Sequence, residues 1–213
     1  MARGGAGRSG KNPYSKPDVF AQKAKKEGYP ARSVYKLEEI DRRVRLLRPG
    51  MHVLDLGCAP GSWLLYAAQR VGANGRARGI DLSALEIALP RNAESMVGDA
   101  FAPTAEVDAF IRQLAPYQVV LSDMAPSTTG ERFGDQMRSA ELVDRTLDLA
   151  DELVAPGGSW VAKVFMSDEL PRLRARARAL FESERILRPE GTRTVSYEVF
   201  LVGEKRRPRK TTA

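Results

Sequence analysis

The chain has 213 residues, 43% of them hydrophobic and 29% charged, which suits a single domain with a real core and short appendages. It carries a net charge of +7, one cysteine and one histidine, which excludes an internal disulfide and any zinc site of the Cys/His kind. No apolar run approaches the roughly eighteen residues of a membrane helix, and the basic N-terminus lacks a signal core, so a cytoplasmic protein is expected.

Residues 1–12 are rich in Gly, Arg and Ser and read as a disordered basic tail. Residues 13–48 read as two short basic helices, with Val34, Leu37, Ile40, Val44 and Leu47 three or four apart and with Pro30 and Pro49-Gly50 as breaks. Strand-like runs follow at residues 51–57, 76–82, 95–100, 117–124 and 159–165, with helical patterns at 62–72, 104–114, 136–154 and 168–181 between or after them. Pro156-Gly157-Gly158 reads as a helix stop. The alternation predicts an α/β fold, a doubly wound, mostly parallel sheet of seven strands. Residues 185–191 and 195–203 have no helix between them and predict an antiparallel hairpin at the sheet edge. The domain is expected to span 13–203, with its α/β core at 49–203 and a basic tail at 204–213.

Charge is segregated along this frame. Residues 1–48 hold 13 Lys/Arg against 5 Asp/Glu and residues 204–213 hold 5 against 1, leaving an acidic middle. Basic ends on an acidic body predict a polyanionic partner, nucleic acid first. Arg42, Arg43 and Arg45 are expected to grip phosphates, with Arg172, Arg174, Arg176 and Arg178 as the alternative path.

Ligands of open parallel sheets bind at the carboxyl ends of the strands. The first strand ends in Asp55-Leu56-Gly57-Cys58-Ala59-Pro60-Gly61-Ser62-Trp63, where glycines admit a ligand close to backbone and a helix N-terminus follows. The Gly57–Gly61 spacing is not that of a dinucleotide pyrophosphate loop. Asp81 ends the second strand and suits a ribose diol; Asp99, after the third, suits an adenine edge. Together these residues predict an adenosyl ligand without phosphates, and S-adenosylmethionine fits best. Asp123 ends the fourth strand. Lys163 and Glu198 lie inside apolar strands, where a charge needs a partner or a task; a plain Lys163–Glu198 ion pair is the bland alternative. His52 opens an apolar run and reads as a strand-edge residue.

The segments 31–37, 55–63, 122–126, 156–165 and 196–202, in this order, make the chain resemble the FtsJ (RrmJ) family of S-adenosylmethionine-dependent RNA ribose 2′-O-methyltransferases over residues 12–203. The resemblance implies a Rossmann-like methyltransferase fold and a catalytic set Lys36, Asp123, Lys163 and Glu198. It also implies cofactor contacts at Asp55, Gly57, Gly61, Trp63, Asp81, Asp99 and Asp123, and no metal. Cys58 stands where the family often has alanine, and Tyr197 where it more often has arginine or serine. A lysine serves as base only as the neutral amine, a form that burial and a neighbouring cation favour. The compact form resembles enzymes that methylate a uridine of 23S ribosomal RNA in the large subunit, and a monomer is expected. Alternatives are the transfer-RNA branch of the family and, from another class, a non-catalytic RNA-binding assembly factor. A small-molecule methyltransferase would leave the basic ends without a purpose.

Overall fold

Val34, Leu37 and Ile40 recur at helical spacing, and all three side chains are buried. They form the inner stripe of α2 (Val34–Val44), the second helix of a computed structural model that describes residues 19–190 and 197–209. The first is α1 (Val19–Lys26). The expected tail at 1–12 lies outside the described residues.

The core alternates as its hydrophobic pattern requires: β1 (His52–Leu56), α3 (Ser62–Val71), β2 (Arg76–Asp81), β3 (Ala93–Val97), α4 (Ala105–Arg112), β4 (Tyr117–Ser122), α5 (Arg132–Leu153), β5 (Val154–Phe165), α6 (Leu170–Leu180), β6 (Phe181–Leu187) and β7 (Glu198–Arg206). The seven strands form one sheet in the order β3-β2-β1-β4-β5-β7-β6. Neighbours from β3 through β5 are parallel; β7 runs antiparallel to both β5 and β6. The expected hairpin is present, and β7 is its inner strand.

Each face has its own core. Leu37 and Ile40 of α2 and Trp63 and Leu64 of α3 cover Val161 and Phe200 on one side. Leu147 of α5, Leu173 of α6, Trp160 and Leu201 pack on the other, where the Trp160 and Phe181 rings stack at 6.2 Å. Each such side chain, fully buried, contributes about 1.5–3 kcal/mol. His52 is the strand-edge residue expected, its Nδ1 3.2 Å from the Leu114 carbonyl oxygen.

Several boundaries move. β3 starts two residues before the expected run and stops at Val97, leaving Gly98-Asp99 as its exit loop. α5 starts at Arg132 because Glu131 caps it: Oε1 accepts from Phe133 N at 2.9 Å and Oε2 from Gly134 N at 2.5 Å. Helix α5 ends at Leu153, before Pro156-Gly157-Gly158, and that triplet lies within β5 where its pairing to β4 shifts register. The expected C-terminal tail begins too early at 204. Strand β7 continues through Arg206, whose side chain is buried and paired with Asp151, and Arg209 Nε donates to the Asp151 carbonyl at 3.1 Å. Strand pairing and an acidic partner order a stretch whose composition resembles a tail.

Candidate active site

Strand register assembles a charged corner at the carboxyl end of the sheet. Ser122 pairs with Ala162, so Asp123, one residue on, lies level with Lys163. Lys163 Nζ donates to the Asp123 carbonyl oxygen at 2.5 Å and lies 3.0 Å from its Oδ1, out of line for a hydrogen bond to it. Lys163 pairs across the sheet with Phe200, which places Glu198 diagonally beside it on the same face. Glu198 forms an ion pair with Lys36, whose Nζ lies 5.8 Å from the centroid of the Phe200 ring. The side chains of Lys36, Asp123, Lys163 and Glu198 are 12%, 17%, 10% and 14% exposed, so the two pairs are shielded but reachable. The bland pairing is corrected: the lysines take Asp123 and Glu198 separately, because β4 and α2 bring their charges in from opposite sides.

Lys36 reaches the corner because its segment is tied to α3. Ser62 Oγ accepts from Ala31 N at 2.8 Å and donates to the Ala31 carbonyl at 3.0 Å, and Trp63 Nε1 donates to the Ser33 carbonyl at 2.8 Å. Tyr29 OH adds a bond to Gln69 at 2.6 Å. Trp63, expected at the cofactor, therefore has its indole buried against Phe200 at 5.7 Å and does not line the cleft described next.

A cleft of about 420 Å³ opens at the carboxyl ends of β1 to β4, lined by Gly57, Asp81, Asp99, Asp123, Met124 and Arg145 among others. Asp81 organises its rim, Oδ2 accepting from Ala59 N and Oδ1 from Ser83 N, each at 2.9 Å. Asp99 Oδ1 accepts from Phe101 N at 2.7 Å. Gly57 lies at φ +74°, and a Cβ there would run into Met124 Cγ, so only glycine keeps this wall open. Gly61 starts α3 at φ +110°, outside the lining residues, where a Cβ would strike Ile87.

Asp55 is fully buried, and neither carboxylate oxygen has a hydrogen-bond partner. Burial, reinforced by the charges of Asp123 and Asp81, holds its carboxyl well above the usual carboxylate range. It does not line the cleft, contrary to a direct cofactor role. Cys58 is buried as well, its thiol pushed up by burial and then by Asp55 and Asp81. Tyr197 meets Phe165 edge-on at 4.9 Å and lies 5.5 Å from the Arg132 guanidinium, forming a wall beside Glu198. Sequence reasoning missed Arg145, which donates to the Phe101 carbonyl at 2.8 Å across the cleft; on an amphipathic helix nothing marks it out. Ser62, which ties down the Lys36 segment, was adjacent to the glycine loop and could have been found there.

The model of the FtsJ-like methyltransferase family matches residues 29–206, a span that contains the cleft and all four charged residues. The chain belongs to the FtsJ-like methyltransferase family. This FtsJ-like methyltransferase is 56% identical over 197 residues to a protein of Sorangium cellulosum, covering 92% of each chain. It is 46% identical over 185 residues to one of Nitratidesulfovibrio vulgaris strain Miyazaki F, covering 87% of this chain and 92% of the relative. Both relatives are named ribosomal RNA large subunit methyltransferase E. A crystal structure of a ribosomal RNA methyltransferase from Plasmodium falciparum matches with a TM-score of 0.74 at 23% identity, over 85% of this chain and 100% of its own, a likeness of fold.

Proposed function

We propose that the protein methylates a ribose 2′-hydroxyl of RNA, a uridine of 23S ribosomal RNA in the large subunit, during large-subunit maturation in the cytoplasm. The observation that carries this reading is the pair of lysine–carboxylate contacts at the sheet's carboxyl end, Lys163 on Asp123 and Lys36 on Glu198. The names of the relatives supply the ribosomal target.

The cleft suits S-adenosylmethionine by its donor set. Asp81 and Asp99 present carboxylates for hydroxyl and amine donors, Gly57 keeps the wall free of a side chain, and no phosphate-binding loop is present among the lining residues. Asp123 lies between cleft and corner, its Oδ1 without a hydrogen bond and near Lys163. When bound, the cofactor supplies a methyl group made electrophilic by a positively charged sulfur.

The chain's own residues do the rest. Lys163 acts as the base, taking the proton from the 2′-oxygen at Nζ as that oxygen attacks. Asp123 holds Nζ by a hydrogen bond to its main-chain carbonyl, with its carboxylate 3.0 Å away. Glu198 holds Lys36 over Phe200, where the ammonium can steady the ribose and its phosphates. Most of the rate gain comes from holding hydroxyl and methyl carbon in line in a shielded site. The test is site-resolved profiling of ribose methylation in total RNA from a strain lacking the gene. Loss of one 23S uridine mark, restored by wild type and not by a Lys163→Ala form, is expected; a mark lost from transfer RNA instead would overturn the ribosomal assignment.

A further inference from the structure

At least twelve of the 22 described arginines pair with a carboxylate. The four on α6 are an example: Arg172 and Arg176 meet Asp144, and Arg174 and Arg178 meet Glu184. Arg42, Arg45 and Arg48 differ. They make no ion pair among the described residues, and they line one groove of about 460 Å³ together with Arg70 and Tyr66. Arg43, between them, is taken up by Glu39.

The groove contains two acids, Glu38 and Asp41. Asp41 is occupied, since Oδ1 accepts from Leu47 N at 2.8 Å while Oδ2 accepts from Tyr66 OH and Arg70 Nε, each at 3.0 Å. Four guanidiniums against two carboxylates leave the groove positive. Arg45 and Arg48 also border a second groove, of about 260 Å³, that ends at Lys205 and Glu204. Glu204 is held by Arg185 at 2.8 Å, and among the described residues Lys205 meets only the exposed Glu182, at 3.8 Å.

Backbone conformation gives an independent sign. Arg45 and Lys205, both in this strip, are the two non-glycine residues at positive φ among the described residues, at 53° and 59°. Arg45 occupies the left-handed position that ends α2, where glycine is the favoured residue. Arg42 in the last turn is accounted for by the helix dipole; a cation kept at two strained positions is not.

We propose that the strip Arg42–Arg45–Arg48–Lys205 binds phosphates of a second stretch of the RNA substrate, away from the reactive ribose. Lys36 and Arg45 stand nine residues apart on one helix and its cap, about 14 Å along the axis, and the groove lies towards the amino ends of β1, β4 and β5. Exposed guanidiniums spread along a groove beside Tyr66 suit the spaced phosphates of a nucleic-acid backbone. The proposal rests on the RNA reading above.

The test uses Arg45→Gly/Lys205→Gly, which removes two cations and relieves both backbone positions. Its melting temperature should equal or exceed that of wild type. Its affinity for a 23S ribosomal RNA transcript should fall about tenfold at low salt, with a salt dependence shallower by about one unit per lost phosphate contact. Arg45→Lys should keep most of the affinity, and S-adenosylmethionine affinity should be unchanged. Should the glycine variant fold poorly, Arg42→Gln/Arg48→Gln reads the same slope from exposed side chains. Parallel slopes in a folded variant would overturn the strip and leave the methyltransferase reading intact. A wild type that neither binds nor methylates 23S ribosomal RNA, as a transcript or within the large subunit, would overturn the functional reading and the strip with it.

Discussion

Lys163 and Asp123 are joined twice, through the aspartate's main-chain oxygen at 2.5 Å and through its carboxylate at 3.0 Å. Because the first contact is to backbone, it survives loss of the Asp123 side chain, and the two residues can be separated experimentally. Lys163→Ala should abolish methyl transfer while cofactor affinity stays within about twofold, since the amine acts on the nucleophile. Asp123→Ala should lower kcat severely and also weaken the cofactor, because this residue lines the cleft. Single-turnover transfer with labelled S-adenosylmethionine checks both, and near wild-type turnover by Lys163→Ala would remove it from the mechanism.

Asp81 holds the Ala59 and Ser83 amides and lines the cleft. Asp81→Ala should weaken S-adenosylmethionine by about 1–3 kcal/mol, roughly a fivefold to 150-fold rise in Kd by calorimetry. An unchanged Kd would show that the cofactor lies elsewhere.

Trp63 acts through its bond to the Ser33 carbonyl. Trp63→Phe should keep the ring packing and lose that bond, costing about 1 kcal/mol of stability. The Lys36 segment loosens, so kcat should fall more than cofactor affinity does. Calorimetry that shows the cofactor losing affinity as much as kcat falls would contradict this structural role.

Asp55 offers a pH test. Its carboxyl is raised in the folded state, so the native protein holds a proton that the unfolded chain releases. The sign follows: this contribution is complete below the ordinary aspartate pKa and is lost as pH rises through the raised folded value. Asp55→Asn should therefore be more stable than wild type at neutral and alkaline pH and should flatten the decline. Melting temperatures of the two proteins across a pH series check this, and parallel curves would refute it.

The α6 arginines should be silent toward RNA. Arg172→Gln/Arg178→Gln removes two exposed guanidiniums already engaged by Asp144, Glu169 and Glu184. Its RNA salt dependence should run parallel to wild type; a shallower slope would restore α6 as the RNA path.

Much of this protein is written locally. Alternating apolar runs and turn residues sufficed for the α/β class, the seven strands and the final hairpin, because side-chain period and chain breaks are properties of short segments. Lys163 and Glu198 stood out as charges inside apolar strands, and the resemblance to the FtsJ family implied Lys36 and Asp123 beside them. Only the tertiary structure decided which charge meets which. The Ser122–Ala162 register gives Lys163 to Asp123, and the bonds from Ser62 and Trp63 carry Lys36 to Glu198. The same holds for the basic segments. Composition cannot tell Arg206, buried on Asp151 fifty-five residues away, from Arg45, which makes no ion pair among the described residues. Trp63 and Asp55 were drawn toward the cofactor by their place in the glycine-loop motif, but the packing of α3 on α2 turned the indole inward and the sheet buried the carboxylate. Local patterns encode elements because neighbours along the chain share a conformation; ion pairing and exposure are set by distant groups that meet only when the sheet is assembled.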